Sequence, residues 1–230
     1  MYLTGFADEA ADTVNGQIAA TQELGWRWIE ARRCGMANIH DISDEDFDHA
    51  AALFEASHIG INCFGSAIGN WAKSVEKPNV DSLAEAGRAI PRMKRLGTSL
   101  IRIMSYAIRR ETDGKIHADQ MEFERFRRLR ELVAMFSDAG ITPVHENCMN
   151  YGGMGWTYTR KLIDAVPGLK LVFDTGNPTH STDVPSVSSA DGMPSLQSSW
   201  DFYRNVREHI AYVHIKDGKI GLDGKHVHTW

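Results

Sequence analysis

The chain has 230 residues, of which 43% are hydrophobic and 24% charged, as in an ordinary globular protein with a sizeable core. Its formal charge of −5 at pH 7 argues against a surface that attracts polyanions, so we expect no nucleic-acid partner. No apolar run approaches the roughly 18 residues of a membrane-spanning helix, and no membrane association is expected.

The cysteines and the basic residues indicate no specialised site. Cys34, Cys63 and Cys148 form no Cys-x-x-Cys pair, which argues against a disulfide framework and against a zinc ribbon. The N-terminus lacks the pattern of a signal peptide, so a reduced, cytoplasmic protein is expected. The basic run "RFRRLR", Arg125–Arg130, lies within a helical pattern and is interpreted as a solvated helix face in preference to a phosphate site.

Strand-like and helix-like segments alternate along the chain. The strand candidates are, in order, Tyr2–Ala7, Trp26–Glu30, Ile61–Ser66, Leu100–Ser105, Ile141–Glu146, Lys170–Asp174 and Ala211–Ile215. The helical patterns between them are Thr13–Leu24, Asp44–Ser57, Val80–Leu96, Gln120–Ala139, Thr157–Ala165 and Ser199–His209. Strands separated by single helices require a parallel sheet, and the lack of a linker or composition shift predicts a single domain over residues 1–230.

Two architectures fit this alternation, and the first turn separates them. A doubly wound nucleotide-binding sheet usually has a Gly-rich turn after its first strand. Here that turn is "ADEAAD", which has acids where a phosphate would bind. A (β/α)₈ barrel of the TIM type fits better, although such barrels have about 250 residues and an eighth strand is not found here. We therefore predict an α/β fold, a TIM-type barrel that lacks its last βα unit in this chain.

The predicted strands end in polar residues that point inward. In "LVFDTGNP", residues 171–178, a buried strand runs directly into Asp174 and then into a turn. Because alternate residues of a strand face the same side, the same parity places Glu30, Ser66, Glu146 and His214 inward at the ends of their strands. The carboxyl ends of the strands are where TIM barrels have their active sites.

Glu146, Asp174 and His214 close three successive strands, and neighbouring strands lie about 4.7–4.9 Å apart. Two carboxylates and one imidazole suit a divalent cation such as Mn²⁺, Mg²⁺, Co²⁺ or Zn²⁺. Taken singly, each residue has another interpretation, as a helix-capping acid or as a structural histidine. Their common position on three strands favours a site for one divalent metal ion.

At these residues the sequence resembles the sugar phosphate isomerase/epimerase superfamily, the xylose isomerase-like TIM barrels. The motifs that carry the resemblance are "GFADEA", "VHENC", "LVFDTGNP" and "YVHIKDG", in that order along the chain. The resemblance implies a metal held by Glu146, Asp174, His214 and one further Glu on an eighth strand. That Glu usually lies beyond a Gly-Glu-Gly segment, which this sequence does not contain, so we expect the native gene product to continue beyond Trp230.

The chemistry expected of such a site is the removal of a proton beside a carbonyl group. A divalent metal polarises the carbonyl and stabilises the developing enediolate, while a carboxylate at its edge serves as general base. We assign Glu146 as the catalytic base and Asp174 and His214 as ligands alone, in a sugar isomerase or epimerase. The same first step would serve a dehydratase or lyase acting on a keto-sugar or keto-inositol, which residue types do not separate from an isomerase.

Residues near the strand ends are candidates for substrate binding. Lys216 would bind a substrate oxygen or carboxylate, or would be an exposed loop lysine. Asn177 is placed to hydrogen-bond the substrate, or simply occupies the turn. Glu30 could bind a sugar hydroxyl or pair with a neighbouring arginine, and Ser66 has the same inward parity.

Two loops add to this set. The segment "GSAIGNW", Gly65–Trp71, ends in Trp71, which would stack on a sugar ring or pack under the loop. Residues 175–198 form a long loop rich in Ser, Pro, Gly and Asp, and loops of this length are usually functional lids or disordered.

Two other classes of protein agree less well with the sequence. A metal-dependent AP endonuclease would need several His ligands and a basic groove for the phosphate backbone, against the acidic balance of this chain. A non-catalytic sugar-binding subunit would account for the lack of an eighth strand. The expected partner is therefore a small sugar or polyol substrate, and the sequence is also compatible with a homo-oligomer.

Overall fold

The computed structural model describes residues 1–180, 197–220 and 226–228, so most of the long loop predicted at 175–198 lies outside the described residues. The chain divides into two compact units. The first comprises Met1–Ile68, Asn79–Ile103 and Ala134–Pro143, and the second comprises Gly69–Pro78, Met104–Val133 and Val144–Trp230. The expectation of a single domain stays a prediction.

The described residues include ten strands, which we number in chain order. They are β1 (Trp28–Ala31), β2 (Arg33–Cys34), β3 (Ala37–Asn38), β4 (Gly60–Phe64), β5 (Leu100–Ile103), β6 (Thr142–Glu146), β7 (Lys170–Asp174), β8 (Ile210–His214), β9 (Gly218–Ile220) and β10 (His226–His228). The strands β2 and β3 form one short antiparallel pair, and β9 and β10 form another.

Six helices accompany these strands. They are α1 (Val14–Glu23), α2 (Asp44–Ser57), α3 (Val80–Leu96), α4 (Glu122–Asp138), α5 (Trp156–Ala165) and α6 (Ser199–Val206). Ser43 caps α2, because its hydroxyl accepts a hydrogen bond from the backbone N–H of Asp46 at 3.0 Å. Gly97 ends α3 in the left-handed conformation, with φ of 66°, which glycine adopts without steric cost.

The remaining six strands follow one another in a sheet with the order β1-β4-β5-β6-β7-β8. In the first unit β1 pairs with β4 and β4 with β5, in each case in parallel. The strand β6 starts in the first unit, where the N–H of Thr142 donates to the carbonyl of Ser99 at 2.8 Å, and it ends in the second. There β6 pairs with β7 and β7 with β8, again in parallel. The predicted parallel sheet is therefore confirmed.

Most predicted elements agree with the structure to within one or two residues. The predicted helix Ser199–His209 is shorter in the structure, because α6 ends at Val206 and Arg207–His209 is a turn of 3₁₀-helix. The predicted strand Tyr2–Ala7 is wrong, because Met1–Phe6 has no regular structure and Ala7–Glu9 is a turn of 3₁₀-helix. The segment still lies against β1, since the N–H of Glu30 donates to the carbonyl of Gly5 at 2.9 Å and the ring of Tyr2 packs on that of Trp28. In the part of the chain that the structure describes, no helix has the length and apolar character needed to cross a bilayer.

The interpretation of "RFRRLR" as a solvated face holds for Arg127 and Arg130 but is wrong for Arg125 and Arg128, which are buried. Arg125 is fully buried, and its guanidinium donates to the carbonyls of Gln120, Ser105 and Ala107. Burial lowers the pKa of Arg125 to about 10, so it stays a cation at neutral pH. These carbonyls need a donor, which is why a charged side chain lies inside the second unit.

We expect Arg125→Ala to destabilise the protein by about 3 kcal/mol or more, because each buried carbonyl that loses its donor costs roughly 1–3 kcal/mol. Arg127→Ala, two residues along the same helix, is the matched control. Its exposed guanidinium pairs with Glu124, and its loss should leave the urea midpoint nearly unchanged. Urea unfolding followed by circular dichroism measures both, and equal midpoints for the two variants would contradict the role given to Arg125.

Candidate metal centre

The ends of β6, β7 and β8 bring Glu146, Asp174 and His214 together within the second unit. One ligand atom from each residue lies within 4.8 Å of the others. Asp174 and His214 are direct neighbours in the β7–β8 register, whereas Glu146 lies beside Val172, two residues before Asp174. Because the strands are parallel, their last side chains reach the same edge of the sheet. The sequence pattern predicted this convergence.

The carboxylate of Asp174 is oriented by the turn that follows it. Its Oδ1 atom accepts hydrogen bonds from the backbone N–H groups of Gly176 at 2.8 Å and Asn177 at 2.7 Å. The other oxygen, Oδ2, is therefore the one that a cation would take first. The "DTGN" turn thus holds Asp174 in a fixed orientation at the end of the strand.

Asn147 fixes the backbone of Asp174 from the neighbouring strand. Its side-chain amide accepts from the N–H of Asp174 at 2.7 Å and donates to the carbonyl of Asp174 at 3.0 Å. The side chain therefore continues the β6–β7 ladder past the end of β6. Sequence reasoning missed this residue, and the signal that could have found it is an amide directly after a predicted ligand, Glu146, in a buried segment.

Glu146 and His214 face each other across the group. His214 Nδ1 lies 3.8 Å from Glu146 Oε1, and the same oxygen accepts a hydrogen bond from Asn177 Nδ2 at 3.1 Å. Glu146 is 6% exposed and Asp174 is 4% exposed, so both carboxylates are held away from bulk water. Asn177 therefore lies against the group, as its position three residues after Asp174 suggested.

The backbone of Lys216 is held by two hydrogen bonds to the side chain of Thr175. The Thr175 hydroxyl accepts from the N–H of Lys216 at 3.0 Å and donates to its carbonyl at 2.7 Å. The Lys216 ammonium donates to Asn177 Oδ1 at 3.1 Å. Sequence reasoning missed Thr175, although a hydroxyl residue next to a strand-end acid was the available signal.

Charge and burial in this group favour a cation. Burial raises the pKa of Asp174 above its ordinary value, and the nearby Glu146 carboxylate adds to that rise, against the hydrogen bond from the Asn177 N–H. Two buried carboxylates and an imidazole nitrogen form a donor set that divalent metals bind. The residues present therefore fit a divalent ion.

His145, between these residues in sequence, has a structural role. Its Nε2 lies 2.9 Å from the Ser105 hydroxyl and 3.0 Å from Asn150 Oδ1. Burial lowers the pKa of His145 to about 4, so the ring is neutral at physiological pH. This agrees with its outward parity in β6.

The other predicted site residues lie in separate parts of the chain. Glu30 is buried in β1, and Ser66 is buried after β4, with its hydroxyl donating to the carbonyl of Arg102. Both belong to the first unit, whereas Trp71 belongs to the second, and its side chain is 47% exposed. Trp71 is therefore not buried packing, and the roles predicted for these residues in substrate binding stay predictions.

A second group of possible ligands lies in the first unit. It consists of His40, Asp41 and Glu85. Here the guanidinium of Arg88 forms an ion pair with Asp41, and Asp41 is exposed. The arginine already supplies the positive charge that a cation would bring, so this group is the weaker candidate.

A family model described as xylose isomerase-like TIM barrel matches residues 18–230. The chain belongs to this family. The predicted α/β barrel class and the resemblance seen in the motifs are thereby confirmed. No curated protein matches the sequence.

Solved structures of similar fold share little sequence with this chain. A xylose isomerase-like TIM barrel protein from Mycobacterium smegmatis, in complex with magnesium, has a TM-score of 0.70 at 15% identity, covering 99% of this chain and 79% of that one. The probable 3-DHS dehydratase AsbF from Bacillus anthracis has a TM-score of 0.65 at 15% identity, with 94% and 73% covered. A 3-keto-D-glucoside 4-epimerase from E. coli has a TM-score of 0.65 at 10% identity, with 93% and 78% covered. At these identities the similarity shows the fold.

We expect Mn²⁺ at about 100 times its dissociation constant to raise the melting temperature by about 5 °C or more, and Asp174→Asn to lose most of that rise. Asparagine keeps the oxygen that accepts from Gly176 and Asn177 but removes the charge, so the turn survives. Asp41→Asn, in the second group, is the control and should retain the full rise. Differential scanning fluorimetry measures the shift, and an undiminished rise in Asp174→Asn would contradict this site.

Proposed function

We propose that the protein is a divalent-metal-dependent isomerase or epimerase of a sugar or polyol. The observation that carries the proposal is the convergence of Glu146, Asp174 and His214 at the ends of three adjacent parallel strands, in a chain of the xylose isomerase-like family. A structural neighbour is named a sugar epimerase, and another was solved with magnesium.

Glu146, Asp174 and His214 would hold one divalent ion. The carboxylates suit Mg²⁺ or Mn²⁺, and the imidazole widens the choice to Co²⁺ or Zn²⁺. When bound, such an ion supplies positive charge that stabilises negative charge developing on the oxygens of a substrate.

Glu146 is the proposed general base. Its carboxylate takes the proton from the carbon next to the substrate carbonyl, and the electron pair of that C–H bond moves toward the carbonyl oxygen. Return of the proton to the neighbouring carbon, while the hydroxyl proton of that carbon passes to the former carbonyl oxygen, completes an isomerisation. An epimerisation instead requires a second acid that delivers a proton to the opposite face of the same carbon, while Glu146 keeps the proton that it took. Burial of the Glu146 side chain keeps bulk water away from the base.

Lys216 is the proposed substrate-binding cation. Its backbone is held by Thr175 and its ammonium donates to Asn177, and these contacts suit a group that holds a substrate oxygen better than they suit a mobile loop lysine. Glu30, Ser66 and Trp71 are proposed to complete substrate binding, through hydrogen bonds and ring stacking. We further propose that the protein acts in the cytoplasm on a small molecule.

Dehydration is the second candidate function, because a structural neighbour is named a probable dehydratase. It starts with the same proton transfer to Glu146 and then expels a β-hydroxyl group as water. The two reactions give different products, so one assay separates them.

The test is deuterium exchange in D₂O with the Mn²⁺-loaded protein and a panel of ketoses and keto-inositols. We expect deuterium at the carbon beside the carbonyl, detected by proton NMR, and a loss of about 10²-fold or more in Glu146→Gln. Glu208→Gln, an exposed glutamate of the same unit, is the control and should exchange at the normal rate.

The form of the product decides between the candidates. Exchange with a rearranged or epimerised sugar supports the isomerase, and a new conjugated enone absorbance supports the dehydratase. Equal exchange rates in Glu146→Gln and in the unsubstituted protein would show that Glu146 is not the general base.

A further inference from the structure

The side-chain amide of Asn177 lies between two opposite charges. Its Nδ2 donates to Glu146 Oε1 and its Oδ1 accepts from the Lys216 ammonium, each at 3.1 Å. A carboxylate can only accept hydrogen bonds and an ammonium can only donate them, so a neutral amide serves both at once. The same partners determine which end of the amide is oxygen and which is nitrogen.

The rest of Lys216 is held in place. Thr175 clamps the backbone on both sides, and the side-chain stem packs against Gly176, where an added Cβ would come within 2.8 Å of Lys216 Cγ. The ammonium end is therefore the part of the Lys216 side chain that can still change its position.

We propose that Asn177 is a positioning residue that separates the Lys216 ammonium from the Glu146 carboxylate and so keeps that carboxylate available to a cation. Without the amide, the ammonium swings onto the carboxylate and competes with the metal. The inference rests on the proposed metal site, and it gives Asn177 a role besides the predicted contact with substrate, because the amide has a second N–H and a second lone pair beyond the two hydrogen bonds that it makes here.

The test is a double-mutant cycle that uses Mn²⁺ alone as the probe, in isothermal titration calorimetry. We expect Asn177→Ala to weaken Mn²⁺ binding by about tenfold, a size typical of coupling between neighbouring groups. Lys216→Met alone should not weaken binding. The double variant should bind Mn²⁺ within about threefold of the unsubstituted protein, because the competing charge is gone.

A purely structural role for Asn177 would give a different pattern, since damage to the loop would persist when Lys216 is also replaced. Asn205→Ala, in α6 of the same unit, is the matched control and should bind Mn²⁺ normally. Asn177→Gln retains an amide and should keep more affinity than Asn177→Ala. If thermal melting shows that Asn177→Ala does not fold, Asn177→Ser, which is too short to contact both charges, takes its place in the cycle.

Each outcome is decisive. Full recovery in the double variant supports the proposal. An unchanged affinity in Asn177→Ala, or a loss that Lys216→Met does not restore, overturns the inference while the metal site stands. If the unsubstituted protein binds no Mn²⁺, the proposed function fails, and the inference fails with it.

Discussion

Two carboxylates buried side by side at the ends of parallel strands are the constraint on which the site depends. Glu146 and Asp174 lie in a protein interior where like charges repel strongly and water does not screen them. A neighbouring imidazole and a lysine reduce that cost only in part, as the raised pKa of Asp174 indicates. A divalent cation would remove the repulsion and use the same oxygens as ligands. The same two carboxylates therefore affect both the stability of the protein and its proposed function.

Uncharged side chains fix the geometry around these charges. Asn147 extends the β6–β7 ladder, Thr175 clamps Lys216, and Asn177 contacts both Glu146 and Lys216. None of them adds a charge to a crowded site, and each makes two hydrogen bonds to the groups that it holds in place. The result is a group whose ligands are oriented before any ion binds, which lowers the cost of binding.

The charged residues of the site could be predicted from the sequence, and the uncharged supports could not. Strand parity depends only on local alternation, so it assigned Glu146, Asp174 and His214 to one edge of a sheet. Asn147 and Thr175 act through the register of neighbouring strands, which local patterns do not contain. The sequence pattern indicated a surface position for Arg125 because two of the carbonyls that accept from it, those of Ser105 and Ala107, lie 20 and 18 residues away in the chain. The first predicted strand failed because its residues are strand-like in type but make too few backbone hydrogen bonds with β1.

The most direct test of the account is a crystal structure of the protein soaked in Mn²⁺, with diffraction data collected on both sides of the manganese absorption edge. We expect one anomalous peak within coordination distance of Glu146, Asp174 and His214, with the amide of Asn177 still between Glu146 and Lys216. The absence of a peak there, or a peak at His40, Asp41 and Glu85 instead, would contradict it.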